Sequence, residues 1–221
     1  MPNTASKHYW KVISIAGAFA GLAAWPGIGH AQLGLPGLPP LPTPGGGGSG
    51  GGQTQTLTGQ ASAVTAVVLG NVTSFADTGT LTSASEPLGT GLGAASAPGF
   101  SAEGLHAATM GWSDQVVSQA SLGNLALDVA GTGISADFIM STARAVSGAG
   151  GSGLTSIEGL RIGGVSVAPT GVPNQLISLP GLSVVLNEQI QSAGGIVVNA
   201  LRVQTLDGLT NIVIGSAKAG I

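Results

Sequence analysis

LSVVLNEQI (Leu182–Ile190), a glycine pair at Gly194-Gly195, and IVVNALRVQT (Ile196–Thr205) decide the class of this fold. Apolar residues recur at every second position in both halves, the period of a strand with one buried face. The glycine pair reads as a hairpin turn, and Asp207-Gly208 leads into a third strand, NIVIGSAKA (Asn211–Ala219). Upstream, Ile134, Ala136, Phe138 and Met140 share one face of ISADFIMSTAR (Ile134–Arg144), with Ser135, Asp137 and Ser141 on the other. Leu125, Leu127 and Val129 alternate just before a Gly131-Thr132-Gly133 connector. Early strands are expected at Ala61–Gly70 and Thr80–Ala84. Gly89–Gly99 reads as a loop, and Ala107–Ala120 as either a short helix or another strand. No period of solenoid length recurs. The expectation is an all-β domain over residues 53–221, an antiparallel β-sandwich or β-roll with Gly-rich turns.

The N-terminal part has a different character. Lys7 and Lys11 precede the largely apolar, uncharged run Val12–Trp25, and Gly29-His30-Ala31 places small residues before Gln32. That is the layout of a secretory signal peptide over residues 1–31. The rival is an uncleaved anchor, but fourteen helical residues reach only about 21 Å against a hydrocarbon core of roughly 30 Å. Residues 32–52 read as a disordered linker. LGLPGLPPLPTP (Leu33–Pro44) is a polyproline spacer about 37 Å long, and GGGGSGGG (Gly45–Gly52) is a flexible coil. A stalk and a merely solvated tail are both open readings of it.

Behind the leader, 190 residues remain, with no cysteine or tyrosine, one histidine (His106) and four cations: Arg144, Arg161, Arg202 and Lys218. Nine acids against four bases set a formal balance of −5. A surface of that sign repels phosphate backbones and anionic lipid, so nucleic acid is not an expected partner. No integral membrane span is expected after signal cleavage. Without cysteine there is neither a lipoprotein attachment site nor a disulfide framework. Catalysis draws mostly on His, Cys, Lys, Tyr and carboxylates, and this chain is poor in them.

The blocks Gly159-Leu160, Gly164-Val165, Gly171-x-Pro173-Asn174-Gln175, Leu186-Asn187-Glu188-Gln189, Val198-Asn199-Ala200-Leu201 and Val213-x-Gly215-Ser216-Ala217 occur in this order. In that arrangement the chain resembles the choice-of-anchor P family, and Ala61–Ala145 fits it more loosely. The resemblance implies an exported bacterial domain, often held to the envelope by a C-terminal sorting tail, with no established biochemical activity. The sequence departs from that pattern by ending at Ala219-Gly220-Ile221 without a sorting motif.

Candidate chemistry is sparse. His106, Ser113 and Asp114 are the only grouping that suggests a Ser-His-Asp arrangement, and no nucleophile-elbow glycines surround Ser113. Strict alternation puts Leu182, Val184, Leu186, Glu188 and Ile190 on one inward face, with Asn199 between Val197 and Leu201. Asn187, Glu188, Asn199 and Arg202 thus form a candidate buried polar cluster. An inward carboxylate needs partners, and Arg161 or Arg202 would serve. Asp207 and Glu158 are the only distant mates for a two-carboxylate mechanism. The Gly89–Gly93 run lacks the strand, helix and lysine of a phosphate loop. No metal-ligand spacing is present, and no cofactor is called for.

The expected function is a secreted or cell-envelope structural protein, extracellular or at the cell surface with the periplasm as the other option. It would act without catalysis, through association with itself at strand edges or with envelope and matrix components. A loose segment such as Gln55–Leu69 could supply a strand to a neighbour. The alternative is an extracellular module for carbohydrate or small ligands, weakened by a mature aromatic complement of only Phe75, Phe100, Trp112 and Phe138. A hydrolase built on Glu188 or His106 is the third reading. An outer-membrane barrel lacks its aromatic girdles.

Overall fold

The computed structural model describes residues 56–84 and 87–221 of the chain. The expected signal peptide and linker, residues 1–52, lie outside the described residues. What is described is all-β and antiparallel, two sheets packed face to face, as the alternating pattern requires.

One sheet holds β1 (Thr58–Val68), β2 (Asn71–Asp77), β10 (Gln175–Leu179), β11 (Leu182–Ser192), β12 (Gly195–Thr205) and β13 (Thr210–Gly220), in the order β10-β11-β12-β13-β1-β2. The other holds β3 (Leu88–Ala97), β4 (Phe100–Gly111), β5 (Gln115–Val129) and β6 (Thr132–Val146) as consecutive neighbours. Along β6, one stretch pairs with β7 (Gly150–Glu158) and the other with β8 (Arg161–Ile162), which is followed by β9 (Val165–Ser166). The segment read as a donor strand is β1, an inner strand bonded on both sides.

Two-residue turns close most hairpins. Leu69-Gly70 and Ala130-Gly131 have positive φ at both positions, the type I′ geometry whose twist suits flanking strands. The connectors therefore sit one residue earlier than expected, at Ala130-Gly131 instead of Gly131–Gly133 and at Ala193-Gly194 instead of Gly194-Gly195.

Two expectations are corrected, and one open choice is resolved in favour of strand. Gly89–Gly99 is not a loop but most of β3, because the β4 ladder supplies the hydrogen bonds that glycine's low propensity would not secure. Ala107–Ala120 is not helical. It contains the end of β4, a short turn at Trp112–Asp114 and the start of β5. Thr80–Ala84 is not a strand, and only Leu81 bridges, to Gly59.

The core falls into one large cluster and two smaller ones. The large one is built of Leu, Ile and Val, with Leu122, Ile139, Leu186, Leu201 and Ile214 fully buried. The smaller two are rich in alanine, with Ala143, Ala145, Ala217 and Ala219 in one and Ala61, Ala107 and Ala120 in the other. Small inward residues let the sheets approach closely there. A Cβ on Gly151 would stand 2.7 Å from Ile196 Cβ, and one on Gly153 would overlap Val198. β7 thus packs its glycine face directly on β12, where no side chain fits.

Candidate functional site

A crease runs across the six-stranded sheet and creates its most distinctive surface. Leu186 pairs with Leu201 and Glu188 with Asn199, but the rung between them, Asn187 opposite Ala200, is skipped. The same omission continues in register to Gly215, Ala63 and Ala76 on β13, β1 and β2. Asn187, Gly215 and Ala76 have φ of 51°, 62° and 51° there. A residue in the left-handed region reverses the alternation, so two successive residues face inward on each strand: Leu186-Asn187, Ala200-Leu201, Ile214-Gly215 and Ala63-Val64 are all buried. Asn and Gly tolerate this backbone best.

Alternation along β11 therefore fails at Asn187. Glu188 and Ile190 leave the inward face on which they were expected, and Ile190 is 50% exposed. The seven-stranded sheet skips a rung too, between Asn124 and Asp137, with φ of 49° at Asn124. Inward positions on β6 accordingly change from Ile134 and Ala136 to Ile139, Ser141 and Ala143, and Phe138 and Met140 depart from the shared face that strict alternation gave them.

On the outer side, the residues just past the crease form a polar row: Glu188, Asn199, Ser216, Ser62 and Asp77, each opposite the next on five adjacent strands. Strands are spaced by about 4.8 Å, so the row is roughly 19 Å long. Lys218 and Gln60 stand opposite one another two residues further along. All of these except Glu188 line a groove of about 310 Å³.

Hydrogen bonds cross the crease at two points. Arg202 Nη1 donates to Glu188 Oε1 at 2.9 Å, and Ser62 and Thr65 share a hydroxyl–hydroxyl bond of 3.1 Å. Asn199 Nδ2 donates to Glu188 Oε2 at 2.6 Å, and Arg202 Nε to Asn211 Oδ1 at 2.9 Å. Gln60 Nε2 donates to both Asp77 oxygens. Of the proposed cluster, Glu188, Asn199 and Arg202 thus come together. Asn187 lies on the opposite, inner face, where its Nδ2 donates to Gly171 O and its Oδ1 accepts from Gln189 Nε2.

Four of the six blocks that carried the family resemblance meet along this crease, while Gly159-Leu160 and Gly164-Val165 lie at β7–β9 on the other sheet. Asn174 Oδ1 accepts from Gln189 N–H at 2.9 Å, which docks the Gly171–Gln175 loop onto the strand that bears Asn187. The Val198–Leu201 and Val213–Ala217 blocks supply the adjoining strands.

Two buried side-chain atoms among the described residues have no hydrogen-bond partner, Ser141 Oγ in the core and Asn199 Oδ1 beside the groove. The Ser216 hydroxyl and the Lys218 ammonium also make no side-chain bond among the described residues. A wider depression of about 530 Å³ at the end of the other sheet, near Phe100, Asp128 and Arg161, holds neither of the two unpartnered atoms.

The remaining candidates are scattered. His106 is exposed on β4 opposite Ser121, whereas Ser113 and Asp114 occupy the β4–β5 turn. Glu158 ends β7 on the other sheet, and Asp207 sits in the β12–β13 loop. Its carboxyl is held below the usual range by hydrogen bonds from the Thr205 hydroxyl and the Leu209 N–H. Phe75 and Phe100 stack on each other at 5.5 Å, partly buried against the core, while Trp112 lies in the turn. No three of the aromatic residues form an exposed platform among the described residues. No group of three or more His, Asp or Glu residues there could hold a metal ion.

Sequence reasoning missed the groove because it assumed unbroken alternation. The signal was Asn187 and Gly215 inside otherwise regular strands, residues that mark a reversal of phase. Comparisons with family models, curated proteins and solved structures returned no match for this chain.

Proposed function

We propose that this chain is an exported structural domain, of the choice-of-anchor P kind, that works at the cell surface or outside the cell by associating with its own copies. The edge of β3, unpaired among the described residues, carries this reading. Its ten residues, Leu88–Ala97, contain no charge and no proline, and most are exposed. Edge strands are normally blunted by lysine, proline, shortness or a covering element.

The other edges among the described strands are blunted by shortness, charge or cover. β10 has five residues, β9 has two, and β2 ends on Asp77. On β7, Gln189 and Gln191 donate to the carbonyls of Gly153 and Gly151. β3 offers main-chain groups to a second β3, and antiparallel pairing about a two-fold axis would join two sheets into one.

Sedimentation velocity of the mature chain over a range of concentrations tests the reading. Association should grow with concentration, Leu92→Lys should abolish it, and Leu154→Lys on β7 should leave it intact. A wild-type monomer at every concentration overturns the proposal, as does association that survives Leu92→Lys.

A further inference from the structure

We propose that the groove along the crease is a binding site for a saccharide bearing a carboxylate, a function separate from association at β3. The groove offers unused groups of both kinds. Asn199 is 6% exposed, lines the groove and carries an acceptor oxygen without a partner. A buried polar atom left unpaired is costly, and a small rotation of the amide toward a ligand donor in the groove would relieve that cost. Ser216 adds a hydroxyl that can donate or accept. Asp77 has acceptor capacity beyond the bonds from Gln60 and Gly79.

Together these groups match the hydroxyls of a sugar. The polar row repeats at the strand spacing of about 4.8 Å, close to the advance of one pyranose unit in an extended glycan. A cavity of about 310 Å³ is of the size that takes a small ligand.

The choice of an acidic sugar follows from what the groove lacks. No aromatic ring lines it, so a neutral sugar gains no stacking and only exchanges hydrogen bonds with water. Two groups here can make charge-assisted bonds, Asp77 to a sugar hydroxyl and the exposed Lys218 ammonium to a carboxylate, and only the second selects for an acid. The second cation nearby, Arg202, is already paired to Glu188. Lys218 and Asn199 stand on neighbouring strands two residues apart in register, so one pyranose ring can reach both.

The test is backbone and side-chain amide NMR of the mature chain titrated with methyl glycosides of galacturonic, glucuronic and N-acetylneuraminic acid, with methyl galactoside and glucoside as neutral probes. At least one acid should shift the Asn199 side-chain amide and the Ser62 and Ser216 backbone amides, with a Kd on the order of 1 mM. Lys218→Met should weaken that binding about tenfold and Ser216→Ala less, with the spectra of both variants otherwise unchanged. The proposal is overturned if none of the acids moves these resonances. It is equally overturned if acidic and neutral sugars bind alike, or if Lys218→Met binds as wild type does.

Discussion

Ser118 Oγ donates to the main-chain carbonyl of Lys218 at 2.6 Å, a bond that ties the two sheets together through the alanine-rich part of the core. Thr109 shares its hydroxyl with the same serine. Ser141 is buried to the same depth, at 0% exposure, yet its hydroxyl meets no partner. The two serines therefore respond oppositely to the same change. Ser118→Ala should cost about 1–3 kcal/mol, because the Lys218 carbonyl loses this donor and the Thr109 hydroxyl keeps only its 3.4 Å bond to Val117 O. Ser141→Ala should be neutral or stabilise by up to about 1 kcal/mol. Urea unfolding of both variants checks this, and equal losses would contradict it.

Glu188 takes hydrogen bonds from both Arg202 and Asn199, so its removal leaves two donors behind. Glu188→Ala should destabilise by about 1–2 kcal/mol, more than Arg202→Ala. The side chains are 12% and 31% exposed, so solvent screens the pair and a double-mutant cycle should give a coupling of only about 0.5–1 kcal/mol. Added salt should shrink that coupling.

Glycines in this chain serve unlike purposes, and alanine substitution separates them. At Gly153 a methyl group would collide with Val198, so Gly153→Ala should cost about 1–3 kcal/mol through overpacking. Gly133 has nothing within 4 Å of a Cβ and no positive φ, so Gly133→Ala should be neutral or slightly stabilising. Thermal unfolding reads both.

Leu69 and Ala130 hold φ of 49° and 51° in type I′ turns that favour Asn-Gly. Leu69→Asn and Ala130→Asn would each complete that dipeptide and should add about 0.5–1 kcal/mol by relieving left-handed strain. Leu69 is 69% exposed, so little burial is lost in its case.

Asp207 links acidity to the β12–β13 loop. Its folded-state pKa lies below the unfolded value because Thr205 and Leu209 donate to the ionised carboxylate. That contribution is complete above the unfolded pKa and disappears as pH falls through the folded one. Hydrogen exchange at the Leu209 amide should accelerate relative to neighbouring amides on acidification below about pH 4. In Asp207→Ala the amide should exchange fast at every pH.

The sandwich was legible because its central strands obey a period of two with strong strand formers, as Ile196–Thr205 and Asn211–Ala219 do. β3 and β7 were illegible for the opposite reason. Leu88-Gly-Thr-Gly-Leu-Gly and Gly150-Gly-Ser-Gly carry little strand propensity of their own and are held by the ladders of β4 and β6. Glu188, Asn199 and Arg202 could be singled out as polar residues among apolar ones, but their face could not. A single left-handed residue at Asn187 inverts everything after it; Asn187 and Gly215 hint at a break in the sequence, and the backbone angles place it. Ser62 and Asp77 lie more than a hundred residues upstream, and their place in the same row depends on β1 meeting β13.

That meeting has a consequence for how the chain matures. Thr58 aligns with Gly220 and Val68 with Thr210, partners 142 to 162 positions apart. During synthesis the opening hairpin must wait, one flank bare, until the closing strand emerges, and so large a separation delays their encounter. In that interval a strand from a neighbouring nascent molecule competes for the same flank. The β1–β13 closure is thus the long-range pairing on which completion of the six-stranded sheet depends.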